Sequence, residues 1–185
     1  MKRVLSLVVM LSVMFLGVSN VDAMTPTFTN GIRYSRGVKN TCYYISPSAS
    51  GYASLINIAA SQWANMSNNI VNTPVSSSYA THIDFYSANP SNNSILNSII
   101  NAYTTIWDAN GAQLFFNGTS NYFYAEIVIN NQNYIDSSTI AHEMGHAYGL
   151  DHTSNKYSIM YTPKNDRLVS TPQSVDNDTI NYLYP

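Results

Sequence analysis

The chain has 185 residues, 45% of them hydrophobic and 10% charged, with a formal net charge of -2 at pH 7. That length supports one domain with a sizeable core, and the charge offers no basic surface to nucleic acid. An aromatic content of 12% argues against a disordered chain.

In chain order, Lys2 and Arg3 form a positive start, Val4 to Val18 an apolar run, and Val21-Asp22-Ala23 a small-residue site. Residues 1–23 therefore read as a secretory signal cleaved after Ala23, with 24–185 as the single mature domain. The apolar run is short for a membrane span, so no stable anchor is expected. Cleavage would remove Lys2, Arg3 and Asp22 and leave a slightly more acidic, extracellular chain. Cys42 is the one cysteine, which excludes an internal disulfide. It is expected to pack as a small buried hydrophobe.

Residues 24–40 carry Pro26, Gly31 and Gly37 without periodicity and read as an irregular arm. Residues 42–45 are a short β-type run ended by Pro47. From Ser50 to Ser67 the spacing of Leu55, Ile56, Ala59, Ala60, Trp63 and Met66 predicts an amphipathic helix with a core-facing stripe. Residues 70–75 and 82–86 read as strands; in the second, Ile83 and Phe85 face the core, and His82 and Asp84 the solvent. Asn89-Pro90 breaks the chain. Ile95, Leu96, Ile99 and Ile100 suggest a short helix, residues 103–107 a strand, and Asn110-Gly111 a turn. Residues 122–130 are a strong strand, with Glu126 on its surface. A helix is expected from Ser137 to about Gly149. Thr171-Pro172 has the chemistry of a helix start, and that last helix should reach about Tyr184. The order predicts a small α+β domain on a mixed twisted sheet.

Three of the four histidines and Glu143 lie in "TIAHEMGHAYGLDH", residues 139–152. His142 and His146, four apart, share one helix face, where both imidazoles reach one ion. Gly149 is placed to end the helix in a left-handed turn, and the reversal brings back His152. Three imidazoles suit Zn2+ and leave a fourth position for water, the pattern of a catalytic site. Glu143 beside them is the candidate general base and acid.

The pattern H-E-x-x-H-x-x-G-x-x-H, followed by "YSIMYTP" (157–163), resembles the metzincin metallopeptidases. Thr153 after the third histidine and Tyr161 after Met160 are similar to the matrixins among them. "CYYI", the Trp63 helix, "HIDFY", "AEIVIN" and "DTINYLYP" lend support along most of residues 24–185. The resemblance implies a metzincin-like zincin fold with an active-site helix and a C-terminal helix. It also implies one catalytic zinc on His142, His146 and His152, with Met160 supporting the site. It makes Tyr161, Thr162 and Pro163 the wall of the pocket for the residue after the scissile bond. Tyr103, Thr104, Thr105 and Ile106 become the edge strand that pairs with extended substrate.

The chain also departs from that family. A propeptide has little room, and Cys42 lacks the family's latency context. Only His82 remains for a second, structural zinc, and it is expected on a strand surface. No convincing carboxylate cluster supports Ca2+. Asp176 is a candidate to hold the mature N-terminus. The reading is a secreted, monomeric zinc endopeptidase acting on protein or peptide. Its rivals are a non-enzymatic exported zinc-binding protein and a narrow-specificity proteolytic toxin or effector.

Overall fold

The computed structural model describes residues 32–116 and 120–185. The expected signal segment, residues 1–23, lies outside them. Six strands form one mixed sheet: β1 (Thr41–Ile45), β2 (Asn72–Val75), β3 (Ile83–Ala88), β4 (Ala102–Trp107), β5 (Gln113–Leu114) and β6 (Tyr124–Asn130). Their spatial order is β2-β1-β3-β6-β4-β5. β2, β1, β3 and β6 run parallel to their neighbours, while β4 runs antiparallel to β6 and to β5. Central parallel strands are covered on both faces and read as near-continuous apolar runs. "AEIVIN" of β6 does so, with Ala125 and Ile127 to Ile129 buried.

Helix α1 (Ala53–Met66) buries Ile56, Ala59, Ala60 and Trp63, along the predicted stripe. Its first expected turn is instead a 3-10 segment, Pro47–Tyr52. Helix α2 (Ser137–Ala147) packs against α1 and carries the histidine motif. The Trp63 indole N–H donates to Ala141 O, 2.9 Å away, and so ties the two helices together at the middle of α2. Beyond α2 the chain is irregular except for a 3-10 turn at Lys164–Asp166, until helix α3 (Ser174–Leu183), which buries Asp176, Thr179, Ile180 and Leu183.

Several elements differ from expectation, each for a local reason. Residues 95–100 form turns, not a helix. The Asn93 side-chain oxygen accepts from the N–H groups of Ile95 and Leu96, and that of Asn97 from Ile99 and Ile100. Such side-chain-to-backbone bonds compete with helix formation. α3 begins at Ser174, three residues after Thr171, because Asp176 accepts the Gln173 N–H at 2.7 Å and closes the first turn there.

Asp84 is buried rather than solvent-facing. Thr81 Oγ1 donates to it at 2.6 Å, and Glu126 is its register partner on β6. Glu126 is half-buried in consequence, and burial together with the Asp84 charge raises its carboxyl above the usual range. Cys42 is half-buried, its Sγ 3.6 Å from His82 Nδ1. His82 precedes β3, accepts the Cys42 N–H at 2.9 Å, and packs edge-on against Tyr34. Among the described residues, no helix is long and apolar enough to cross a membrane.

Candidate active site

Asp136 caps α2, accepting the Thr139 N–H at 3.0 Å. That fixes the first turn, and His142 and His146 follow on one face. The helix stops two residues before Gly149. Gly149 has φ +97°, a conformation cheap only for glycine. Its N–H donates to His146 O and the Leu150 N–H to Gly145 O, which is the Schellman arrangement. A Cβ at Gly149 would stand 3.2 Å from Ile32 O and 3.4 Å from the Tyr122 hydroxyl, so space as well as φ demands glycine. Tyr122 and Tyr184 donate to Ala147 O and Tyr148 O, satisfying carbonyls that the ending helix leaves open.

The reversal returns His152 to the helix face. His152 Nε2 lies 3.2 Å from His142 Nε2 and 3.2 Å from His146 Nε2. The far ring nitrogens fix the tautomers. His142 Nδ1 donates to Ile159 O and His146 Nδ1 to Leu150 O, both at 2.8 Å. In the neutral rings the inward Nε2 atoms of His142 and His146 then carry lone pairs and no proton. His152 could donate to only one of them. A cation between the three relieves that crowding of lone pairs. Tetrahedral zinc with bonds of about 2.05 Å separates its nitrogens by about 3.3 Å, so the donor set fits the metal. Among the described residues, this is the one group of three or more His, Cys, Asp or Glu side chains whose ligand atoms converge.

Burial and the neighbouring imidazole of His146 hold His142 well below the ordinary histidine range, and burial holds His146 at about 4. Burial lowers His152 as well, against the opposing Asp151 charge. All three are therefore neutral and ligand-competent at pH 7. Burial pushes the Glu143 carboxyl up to about 7, with the Thr104 hydroxyl acting against it.

Met160 lies beneath the helix, against Gly145. The turn that carries it is held by Asp176, which accepts from Ser158 Oγ and from the Ile159 N–H at 3.1 Å. Asp176 is thus engaged by the methionine turn; the mature N-terminus, for which it is also a candidate partner, lies outside the described residues. The carbonyl of the same residue, Ile159, receives His142 Nδ1, so two hydrogen bonds through Ile159 link α3 to a candidate metal ligand.

A cleft of about 620 Å³ opens over these groups. Its lining includes Glu143, the three histidines, Tyr103, Thr104, and the wall residues Tyr161, Thr162 and Pro163. The outer edge of β4 is unpaired from Ala102 to Thr105 among the described residues. Ile106, also expected on that edge, pairs with Leu114 of β5 and is buried. A family model described as Matrixin matches residues 52–185.

The chain belongs to the matrixin family. Matrixins are zinc metallopeptidases, and this matrixin carries two of the clustered histidines on the expected helix and the third just beyond its end. No curated protein matches the chain.

Four features of the matrixin site were not anticipated from sequence. Phe116 sets its ring 5.5 Å from that of His146. Lys164 pairs with Asp136 at 2.8 Å and donates to Thr139 Oγ1 at 2.9 Å. Arg167 donates to Ile159 O and to Ser138 Oγ, both at 2.8 Å, joining the methionine turn to the start of α2. Thr104 reaches Glu143. Apart from the Arg167–Ile159 bond, all of these join residues more than twenty positions apart, where no sequence periodicity operates.

Proposed function

We propose that this matrixin is a secreted endopeptidase that cuts extended peptide with Glu143 as general base. The observation that carries the reading is the convergence of three imidazole nitrogens with a buried glutamate in the same cleft. A purely structural metal site has no use for that glutamate or for an open cleft.

His142, His146 and His152 would hold zinc, which when bound supplies the Lewis acidity that activates water at neutral pH and polarises the scissile carbonyl. Glu143 takes the proton of the attacking water and delivers it to the departing amine. Its burial raises its proton affinity toward neutrality, which suits both transfers. The open edge of β4 receives the substrate backbone by strand addition, and successive side chains then point alternately toward and away from the cleft. Tyr161, Thr162 and Pro163 wall the pocket beyond the scissile bond. Export follows from the signal pattern in residues 1–23.

The deciding experiment is digestion of a mixed peptide library by residues 24–185 with zinc, beside chelator-treated protein and a Glu143→Ala variant. Cleavage that disappears in both controls is expected. Stoichiometric zinc with no cut peptide would overturn the general endopeptidase and leave a selective effector or a binding protein.

A further inference from the structure

Thr104 occupies two places at once. It sits in the middle of the unpaired stretch of β4, and its side chain faces α2. Its hydroxyl lies 2.7 Å from Glu143 Oε2 and 3.0 Å from Glu143 O. A hydroxyl has one proton to give. The ionised carboxylate is the stronger acceptor and the nearer one, so the proton goes to Oε2. Among the described residues no other donor reaches that carboxylate, although Glu143 is buried. Among the described residues, Glu143 Oε1 is left without a protein partner.

We infer that Thr104 is a positioning residue that fixes the Glu143 carboxylate relative to the substrate-bearing strand, engaging Oε2 and leaving Oε1 to meet the water. The inference rests on Glu143 being the base. A glutamate side chain has three rotatable bonds, and an unclamped one samples rotamers in which neither oxygen faces the water. The clamp comes from the strand on which substrate pairs, so the base and the reacting carbonyl are referenced to one backbone element. Misplacement of a catalytic group by an ångström costs about a hundredfold. Loss of one clamp in an otherwise intact site should cost part of that.

The test compares zinc-loaded wild type with Thr104→Val and Thr104→Ser on a peptide that the wild type cuts. Valine keeps shape and strand preference but removes the donor; serine restores it. The expected result for Thr104→Val is a fall in kcat of about 10- to 100-fold with KM within about twofold of wild type. Thr104→Ser should recover most of kcat. A kcat within about twofold of wild type for Thr104→Val, a loss confined to KM, or no recovery in serine overturns the inference.

A second readout is independent of turnover. The chain has two glutamates, Glu126 and Glu143, so δ-carboxyl-13C-glutamate confines the labelled infrared carboxyl bands to two residues, and subtracting Glu143→Gln assigns those of Glu143. The Glu143 band should shift in Thr104→Val and return in Thr104→Ser, and an unmoved band overturns the clamp. If wild type cuts no peptide, the endopeptidase reading falls by itself, and the infrared result still decides the clamp.

Discussion

Gly145 lies directly against Met160. A methyl group placed on Gly145 would overlap Met160 Sδ and press on Met160 Cε at 3.1 Å and Trp63 Cζ2 at 3.2 Å. A glycine inside a helix costs about 1 kcal/mol relative to alanine. Here that cost is accepted because the methionine turn, α2 and the Trp63 ring of α1 meet at this point. Gly145→Ala should therefore destabilise by roughly 1–3 kcal/mol despite its better helix propensity. Met160→Ala alone leaves a cavity costing roughly 2–5 kcal/mol. In the double variant the new methyl occupies part of that cavity, so its unfolding free energy should exceed the additive value by more than about 1 kcal/mol. Denaturant titrations of the four proteins measure this, and simple additivity would rule out the contact.

A second prediction follows from the burial of Glu143. Its carboxyl is at about 7 in the folded chain against an ordinary 4.5. Folded protein thus holds this proton more tightly than unfolded protein, and stability is lost as pH rises from about 4.5 through 7. Glu143→Gln removes that loss. Metal-free Glu143→Gln should be more stable than metal-free wild type by roughly 3 kcal/mol at pH 8, with the difference vanishing near pH 4.5. Thermal melts of both proteins across that range check it. A difference independent of pH would mean that Glu143 is not desolvated.

What could be read from sequence here was what sequence keeps close together. His142, Glu143, His146, Gly149 and His152 span eleven positions, so one helix and one glycine reversal bring the three histidines together. The stripe on α1 and the apolar β6 were legible for the same reason, because burial imprints a period on the chain. Thr104 against Glu143 and Arg167 against Ser138 were not, since only the tertiary fold sets those pairs. The misread stretch at 95–100 had an apolar spacing suited to a helix, and two asparagines overruled it by bonding their own backbone. Strand alternation places Asp84 toward solvent, yet it is buried. That rule fails on a central strand whose second face is covered, here by Thr81 and Tyr86.

The depressed imidazoles set the acid limit of metal retention. Because His142, His146 and His152 all lie below the ordinary 6.5, protons compete for these ligands less than for ordinary imidazoles as pH falls through 6.5. Competition begins nearer the value of about 4 at His146. Zinc affinity should therefore hold to lower pH than ordinary imidazoles would allow and weaken as pH falls toward about 4, where His146 takes up its proton. The same depression makes these rings cost stability in metal-free protein as pH falls from 6.5 toward 4, since the unfolded chain then binds more protons. Competition titrations with a zinc indicator at each pH measure the first effect. A zinc affinity that already falls tenfold per unit at pH 6.5 would show that the rings are not desolvated.

Asp176 links the last helix to the metal site through a short chain of bonds. Its carboxylate accepts from Ser158 Oγ, from the Ile159 N–H and from the Gln173 N–H, and Ile159 O in turn orients His142 through Nδ1. Groups that orient a ligand from behind change metal affinity by about 10- to 100-fold when removed. Asparagine keeps the shape of Asp176 but has one acceptor oxygen in place of two, so at least one buried donor loses its partner. Asp176→Asn should lower stability by roughly 2–4 kcal/mol and release zinc to a chelator about tenfold faster. Ser158→Ala removes a donor to Asp176 and the acceptor of the Met160 N–H but leaves the Ile159 N–H on Asp176, so it should lower stability and leave the zinc release rate nearly unchanged. Release rates in stopped flow, read beside denaturant melts, separate the two effects. If Asp176→Asn melts early yet keeps zinc as long as wild type at temperatures where both are folded, then Asp176 holds the turn without orienting His142.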